Sequence, residues 1–538
     1  MTQHVTNNSL KKRFMFKLLV NFISVFLGLI VILFIPRILG PENFGRFEFV
    51  TNNFKLIMEM LALQVPIAYF NWVSRKGHKQ NTDLATSFTL YFSVLITFVF
   101  ALFILTVVLF KFNYVLWPEI SPRYLMMAFL FVVITFFNQF FIYLADAKAL
   151  TVGLEKIRLF QNFIKTVILL ALALLGLLTL KSYFVAQIIV VLLATIILFL
   201  WLEKKKSFET KIFKIWAFSK EEVNKYYWFV KSYVRPLIIL MVSSFLFLYF
   251  DRWFLQLIGG SVQQGYFGLS DRLGSLAFIF TSAMTPLITR EFAHAYEEND
   301  IQRTRYLFNR IKIFLFIATV TGCFLSIQSK NVIGIVGGNA FKNAFIPISI
   351  MALYPIHQTF GQLSAALLLA TGRTKIYSNI GISTMLLSLP FTYILLAPKD
   401  YLIPGLNLGA TGLAIKMVIL QVIATNIQLY FNMKYLKQSF LKWIWFQIVS
   451  ITVLFAGSFV SSILAGMLIR SFGTLSILNI WSINQDIYGS IVKLILSGSL
   501  YLIVVVSLVM FFPSIIGCKR EELKDIFKKI KTKYLKQS

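Results

Sequence analysis

The chain is poor in charge, in acidic residues and in cysteine. Only 14% of its 538 residues are charged, with 22 Asp and Glu against 52 Lys and Arg, and only two are cysteines. A soluble domain has about 25% charged residues, so a soluble fold is excluded. A secreted disulfide scaffold is excluded as well, because two cysteines cannot cross-link so long a chain.

The sequence also lacks the patterns of nucleotide and metal sites. It contains no G-x-x-x-x-G-K-[ST] P-loop, so we expect no ATPase site. Its four histidines lack metal-ligand spacing: His4, His78, His294 and His357. The predicted outside loops are short, whereas a membrane polymerase or ligase needs a larger extramembrane region with paired carboxylates or an Arg-His face. We therefore expect no metal, no cofactor and no enzyme activity.

Apolar residues are abundant instead. They make up 58% of the chain, including 56 Phe, and the mean hydropathy is +0.76. This composition predicts an all-α integral membrane protein and, despite the net charge of +30, no nucleic-acid partner. A span needs about 20 mostly apolar residues. Fourteen candidate spans are found, at 15–35, 47–73, 84–110, 124–147, 159–179, 183–202, 233–258, 266–289, 311–328, 343–370, 376–397, 409–432, 443–467 and 488–512.

The basic residues indicate the orientation of these spans. An even number of spans places both termini on one side of the membrane. The segments on that side then hold about four times as many Lys and Arg as the segments on the other side, which agrees with the positive-inside rule. We therefore expect a multi-pass protein of the bacterial inner membrane with cytoplasmic N- and C-termini.

An internal repeat divides the chain. Residues 139–157 align with 358–376, and the same shift takes Gly40 onto Gly259, while Gly45 falls on Gly265 with one insertion. The identical pairs are Gln139/Gln358, Phe141/Phe360, Leu144/Leu363, Ala147/Ala366, Leu150/Leu369, Gly153/Gly372, Lys156/Lys375 and Ile157/Ile376. Parallel repeats of this kind are a known transporter architecture.

The repeat predicts two pseudo-symmetric six-helix lobes around a central cavity, plus two extra helices. The predicted segments are an N-lobe (1–202), a cytoplasmic linker (203–232), a C-lobe (233–432), helices 13 and 14 (433–512) and a basic tail (513–538). Leu523, Ile526 and Phe527 lie on one stripe of the tail amid lysines. That pattern predicts an amphipathic helix on anionic lipid.

Charged residues inside the spans are candidates for function, because an ionised group near the bilayer centre costs about 2.5–3.5 kcal/mol or more. Cations at similar depth in both lobes would attract a polyanionic headgroup such as a pyrophosphate. Amides at matching repeat positions can bond sugar hydroxyls or bridge helices. The substrate-binding candidates are Lys55, Arg272, Arg252, Lys416, Gln139 and Gln358.

The acidic residues leave a second interpretation open. Glu59 stands one turn after Lys55, which suits an ion pair, and Asp251 or Asp271 can pair with a neighbouring arginine. Long basic side chains can also reach outward to water. The candidates for ion coupling or ion pairing are Glu59, Asp251, Asp271, Asp146 and His357. A lone helical histidine is either a protonation switch or a structural residue.

Several motifs together resemble a known family. The first is Ile35-Pro36-Arg37-Ile38-Leu39-Gly40-Pro41-Glu42-Asn43-Phe44-Gly45. The others are Asp251-Arg252 followed by Ile258-Gly259; Gly265, Phe267, Arg272 and Leu273; Ala370-Thr371-Gly372-Arg373-Thr374-Lys375; and Leu408-Gly409-Ala410-Thr411-Gly412. In order and spacing, the chain resembles the bacterial polysaccharide (O-antigen type) flippases of the multidrug/oligosaccharidyl-lipid/polysaccharide (MOP) exporter superfamily.

The resemblance implies an alternating-access transporter for an undecaprenyl-pyrophosphate-linked oligosaccharide, used in O-antigen or capsule synthesis. Its partners would be that lipid-linked oligosaccharide, membrane lipids and other polysaccharide assembly proteins. It also implies headgroup binding by cations in the first, second, seventh and eighth helices. Lys55 and Arg272 fit, Arg252 lies in the seventh helix, and the first helix holds only Lys17. Asp271 beside Arg272 departs from the family pattern.

Three other functions are considered. A cation-coupled multidrug exporter of the same superfamily would favour an acidic cavity and twelve spans. A flippase for the lipid-linked peptidoglycan precursor differs only in its cargo. A membrane glycan polymerase or ligase would need a long outside loop, which the sequence lacks.

Overall fold

The computed structural model describes residues 10–74, 82–208, 216, 218–275, 278–473, 485–516 and 520–521. Within these residues every regular element is helical. The chain forms two compact units, unit 1 from Met1 to Gly265 and unit 2 from Tyr266 to Ser538. The greater part of the predicted basic tail, 522–538, lies outside the described residues.

Among its described residues unit 1 has nine α-helices, the last of which continues into unit 2. They are α1 (Leu10–Leu61), α2 (Val65–Ser74), α3 (Thr82–Leu109), α4 (Asn113–Leu116), α5 (Pro122–Ala147), α6 (Thr151–Leu174), α7 (Leu180–Lys204), α8 (Lys220–Val234) and α9 (Ile238–Ser275).

The described part of unit 2 contains the remaining helices. They are α10 (Phe278–Glu297), α11 (Ile301–Arg310), α12 (Lys312–Ile327), α13 (Ser329–Val336), α14 (Phe345–Met351), α15 (Tyr354–Ala370), α16 (Thr374–Leu396), α17 (Gly409–Leu436), α18 (Phe440–Gly473) and α19 (Gln485–Phe511).

Aromatic side chains hold unit 1 together. Phe47 of α1 packs its ring 4.6 Å from that of Tyr183 and 4.8 Å from that of Phe184, both in α7. Further along α1, the buried Phe54 contacts the rings of Phe100 and Trp117 edge to face. Such pairs add about 0.5–1.5 kcal/mol beyond the burial of their area. In a membrane these pairs make helix packing specific, because the surrounding lipid is itself apolar and provides no hydrophobic driving force between helices.

Helix α8 belongs to unit 1; it begins within the predicted linker 203–232 and ends two residues after it, at Val234. Ser219 and Glu222 form a capping box that starts it. Its Tyr226 is fully buried, with its ring 5.2 Å from that of Trp72 and its hydroxyl 3.2 Å from Thr89 Oγ1. The segment is therefore a packed amphipathic helix along part of its length.

Unit 2 has its own core, which includes the last two helices. The ring of Trp443 in α18 stacks 5.6 Å from Phe360 of α15 and meets Phe308 of α11 at 5.1 Å. Tyr501 of α19 stacks on Phe324 of α12 at 5.7 Å. Helices α18 and α19 thus contribute to the core of unit 2.

Eleven helices among the described residues are long and apolar enough to cross a membrane. Two of them contain an internal glycine with non-helical backbone angles, Gly40 in α1 and Gly260 in α9. The predicted span 343–370 is formed by two shorter helices, α14 and α15. The membrane-spanning, all-α class is confirmed, and the count of fourteen spans stays a prediction.

The buried Trp443 and the exposed Trp445 give a matched pair for testing the core of unit 2. Trp443 is 4% exposed and Trp445 is 67% exposed. We expect Trp443→Ala to destabilise the protein by about 3–5 kcal/mol, because it leaves a cavity between helices. We expect Trp445→Ala to leave stability nearly unchanged. Thermal unfolding of the purified variants in detergent measures both, and equal unfolding temperatures would contradict this packing.

Candidate functional site

Two repeat-related glycines form sharp corners inside long helices. Gly40 has φ 73° and ψ 166°, and Gly260 has φ 67° and ψ −173°. Only glycine adopts these angles without strain, because a Cβ atom would clash with the backbone. The sequence alignment paired Gly40 with Gly259, and that pairing is wrong by one residue. The pairs Gly40/Gly260 and Gly45/Gly265 share one spacing, so no insertion lies between them.

The segments that follow the two corners touch each other through backbone atoms. A Cβ on Gly45 would overlap the carbonyl oxygen of Ser261, and a Cβ on Gly265 would overlap the carbonyl oxygen of Pro41. Pro41 and Ser261 each directly follow a corner glycine, so the contact is reciprocal. Small residues allow helix backbones to approach this closely in membrane proteins. These residues form the glycine crossing, defined as Pro41, Gly45, Ser261 and Gly265.

Glu119 closes the corner at Gly260. Its Oε2 accepts a hydrogen bond from the Ser261 backbone N–H at 2.8 Å. Gln256 donates its amide to Pro118 O and to Ser261 Oγ, each at 3.0 Å. A carboxylate at a helix N-terminus satisfies a free N–H and suits the helix dipole. The equivalent residue after Gly40 is Pro41, which has no N–H to satisfy.

Sequence reasoning missed the role of Glu119. It is the lone acidic residue of the short segment between α3 and α5, and it follows Pro118. The residue has φ 63°, a left-handed conformation that non-glycine residues rarely adopt. The one indication in the sequence is that Glu119 is a carboxylate in an aromatic-rich segment that is predicted to lie outside the membrane.

Lys55 and Glu59 lie on one face of α1 and pair with each other. Their charged atoms are 3.8 Å apart, and the side chains are 64% and 57% exposed. An exposed pair of this kind is worth about 0–1 kcal/mol. The ion-pairing interpretation is therefore seen in the structure, and the pair is weak enough for another anion to replace Glu59.

The other cation candidate of unit 1 lies next to the corner at Gly260. Asp251 is buried and Arg252 is half-buried. The side-chain amide of Gln264, on the far side of the corner, donates to the carbonyl oxygen of Arg252. The backbone at Arg252 is thereby held to the glycine crossing.

The two remaining candidates of unit 1 lie on α5. Gln139 is exposed, whereas its neighbour Asn138 donates to Thr195 Oγ1 of α7 at 3.0 Å, so Asn138 is the amide that bridges helices. Asp146 is half-buried near Lys148, whose ammonium donates to Ser207 O. Burial lowers the pKa of Lys148 below its ordinary value, and the charge of Asp83 opposes this shift.

In unit 2 the structure brings two predicted residues together around Tyr354. The Tyr354 hydroxyl donates to Gln358 Oε1 at 3.4 Å, and the Asp271 carboxylate acts electrostatically on the same phenol. Gly274, one turn after Asp271, packs against the carbonyl oxygen of Met351. The helix segment of Asp271 and Gly274 therefore lies at the junction of α14 and α15. Arg272 is half-buried, and Tyr354 is a candidate that the sequence did not indicate.

His357 is tied into a polar network. Its carbonyl oxygen accepts a hydrogen bond from Thr425 Oγ1 at 3.0 Å. Its side chain bonds to Gln447, which donates to Asn426 Oδ1 at 3.0 Å. These bonds link α15, α17 and α18, which favours the structural interpretation of His357.

Lys416 lies in α17 and is only 2% exposed. An ammonium group buried in a membrane helix is expensive and marks a functional candidate. Within the described residues, no three His, Cys, Asp or Glu side chains are grouped closely enough to hold a metal ion.

A family model described as "Polysaccharide biosynthesis protein" matches residues 10–292. Among curated proteins, no sequence matches the chain. Solved transporter structures match the fold at low sequence identity.

Three solved structures represent these matches. An inward-facing multidrug resistance MATE family transporter of the MOP superfamily has a TM-score of 0.60 at 15% identity, covering 79% of this chain and 99% of its own. A MOP superfamily transporter from Pyrococcus furiosus has a TM-score of 0.55 at 15% identity, covering 80% and 97%. The lipid II flippase MurJ has a TM-score of 0.57 at 14% identity, covering 93% and 99%.

The close backbone contact at the glycine crossing predicts that a larger side chain there prevents folding. We expect Gly265→Val to reduce the yield of folded protein strongly, because the overlapping atoms are backbone and cannot move aside as a side chain can. Gly28→Val is the matched control, since no heavy atom lies within 4 Å of a Cβ at Gly28. Size-exclusion chromatography and thermal unfolding in detergent measure the effect. Equal behaviour of the two variants would contradict the close backbone contact.

Proposed function

The chain belongs to the polysaccharide biosynthesis protein family, and from this membership we propose that it is a flippase for an undecaprenyl-pyrophosphate-linked oligosaccharide. It would move this lipid from the cytoplasmic to the outer leaflet of a bacterial inner membrane, for O-antigen or capsule synthesis. The termini would be cytoplasmic, and polysaccharide assembly proteins would be partners. Its two six-helix lobes would be 1–202 and 233–432, joined by 203–232 and followed by 433–512.

One observation supports a flippase over a multidrug exporter. The MurJ structure covers 93% of this chain, whereas the MATE structure covers 79%. The MurJ structure therefore matches a longer part of this chain than the MATE structure does. This agrees with the prediction of two helices in addition to the twelve of the two lobes. MurJ is a lipid II flippase, so the likeness in extent supports a lipid-linked cargo here.

The proposed headgroup-binding residues are four cations of the predicted spans. Lys55 and Arg252 belong to unit 1, and Arg272 and Lys416 belong to unit 2. A pyrophosphate accepts charge-assisted hydrogen bonds from such groups, which are about twice as strong as neutral ones. At Lys55 the phosphate would replace Glu59, since that pair is exposed and weak.

The neutral and acidic candidates complete the proposal. Gln139 and Gln358 would contact sugar hydroxyls, and Tyr354 beside Gln358 adds a second hydroxyl-binding group. The candidates for ion coupling or pairing remain Glu59, Asp251, Asp271, Asp146 and His357. Of these, Asp271 is close enough to Tyr354 to act on it electrostatically.

The membrane potential provides a driving force for this transport. Moving one negative charge outward across an inside-negative membrane is favourable by about 2.3 kcal/mol per 100 mV. A pyrophosphate carries about two negative charges, so no coupled ion is required. Flux of lipid-linked oligosaccharide in proteoliposomes, at fixed potential with and without a proton gradient, tests this. Flux that ignores the potential and follows the proton gradient would contradict potential-driven transport.

A cation-coupled multidrug exporter is the second candidate, favoured by the TM-score of 0.60 with the MATE transporter. Gene deletion with analysis of lipid-linked sugars separates the candidates. Loss of an oligosaccharide flippase should accumulate undecaprenyl-linked repeat units on the cytoplasmic face. Accumulation of the lipid-linked peptidoglycan precursor would assign that cargo instead. Drug sensitivity without any lipid-linked product would assign the exporter.

Removing the proposed headgroup cations should impair export. We expect Lys55→Ala and Arg272→Ala each to lower flux about tenfold or more, because each removes a charge-assisted contact to phosphate. Lys399→Ala, at an exposed lysine of the α16–α17 connection, is the control and should retain full flux. Membrane insertion is checked by immunoblotting. Full activity of both site variants would remove these residues from the site.

A further inference from the structure

Unit 2 contains a cavity that is not lined by any residue proposed for the transport site. It has a volume of about 560 Å³ and lies among α12, α13, α14, α18 and α19. None of Arg272, Lys416 and Gln358 lines it. The molecule that binds in this cavity is therefore considered separately from the transported substrate.

Three cations line the cavity. Lys330 comes from α13, Arg470 from the end of α18, and Lys493 from α19. Among the described residues that line it, none is acidic. Lys493 stands eight residues into a membrane-spanning helix, about 12 Å from its start. A charge at that depth is expensive, so the cavity favours an anionic occupant.

Hydroxyl groups accompany the cations. Ser326 and Ser349 face each other with their oxygen atoms 2.9 Å apart, and Ser329 and Ser462 also line the cavity. A hydroxyl has one O–H to donate, so one serine of the Ser326–Ser349 pair donates to the other and the second can donate to an anion. Cations and hydroxyl donors together suit the oxygen atoms of a phosphate group.

The remaining wall is apolar and includes exposed side chains of α18. Phe459, Ile463 and Met467 of α18 line the cavity and are 54%, 42% and 58% exposed. They lie in a helix long and apolar enough to span a membrane. A bound molecule thus meets charge at one end and lipid-facing apolar surface at the other, which is the pattern of a lipid.

Helix α19, which carries Lys493, packs closely against α13 and α12. A Cβ on Gly334 of α13 would meet Ser490 Oγ of α19 at 2.8 Å. A Cβ on Gly498 would meet the ring of Phe324 at 3.3 Å, and that ring stacks on Tyr501. The cations are therefore held on helices in close contact.

We propose that this cavity binds the phosphate headgroup of an anionic lipid, with Lys330, Arg470 and Lys493 at the phosphate and the chains along α18. In the proposed orientation the site faces the outer leaflet. This assignment does not depend on the transported cargo. It gives α18 and α19 a function of their own, the docking of a lipid against unit 2.

The test uses the full-length protein in detergent and native mass spectrometry. The probes are dioleoylphosphatidylglycerol, dioleoylphosphatidylcholine and inorganic pyrophosphate. The variants are Lys493→Gln and Arg470→Gln, with Lys493→Arg as a charge-retaining variant. Lys342→Gln is the matched control, because Lys342 is exposed on the same side of the sequence-derived topology and does not line the cavity. Thermal unfolding confirms that each variant is folded.

We expect the phosphatidylglycerol to bind more tightly than the phosphatidylcholine. Each Gln variant should weaken that binding about tenfold, since it removes a hydrogen bond to a charged group. Lys493→Arg and Lys342→Gln should bind like the unmodified protein. Equal binding of the two lipids, or unchanged binding by folded Gln variants, would overturn the proposal. If the protein bound pyrophosphate but did not bind phosphatidylglycerol, the assignment of the cavity to a lipid would be overturned.

Discussion

The crossing of two helix backbones at Gly45 and Gly265 is the contact on which the arrangement of unit 1 depends. Each glycine faces a carbonyl oxygen that leaves no room for a Cβ atom. The contact requires the corners at Gly40 and Gly260, because they direct the following segments toward each other. The hydrogen bond from Ser261 N–H to Glu119 then satisfies the helix end that the second corner exposes. The corner at Gly260, the glycine crossing and the hydrogen bond to Glu119 thus depend on one another.

Charge in this protein serves three separate purposes. Most of its basic residues lie outside the predicted spans and are the basis of the predicted orientation. A few lie within spans, where we propose that they bind the cargo's phosphates or a resident lipid. The acidic residues that accompany them differ in burial, from the exposed Glu59 to the buried Asp251. We propose that the exposed Glu59 is exchanged for substrate, whereas a buried carboxylate such as Asp251 is held in place.

Much of this organisation could be predicted from hydropathy and repeats. The polysaccharide flippase resemblance is confirmed at family level by the match over 10–292, and the all-α membrane class by the helices. The repeat alignment nevertheless paired Gly40 with Gly259, one residue before its true equivalent, Gly260. Gly259 and Gly260 are adjacent glycines, and only the backbone angles show which of them matches Gly40. The role of Gln139 was assigned by its repeat position, whereas contact to α7 belongs to its neighbour Asn138.

The sequence by itself determined that this chain lies in a membrane, since apolar segments of that length have no stable alternative in water. It also determined the repeat and its glycines, as these are properties of local residue order. Only the tertiary structure decided which glycine turns each corner, that Glu119 caps one of them, and that Lys330, Arg470 and Lys493 share a cavity. These are contacts between residues far apart in the chain, and such contacts depend on three-dimensional packing that no local pattern encodes.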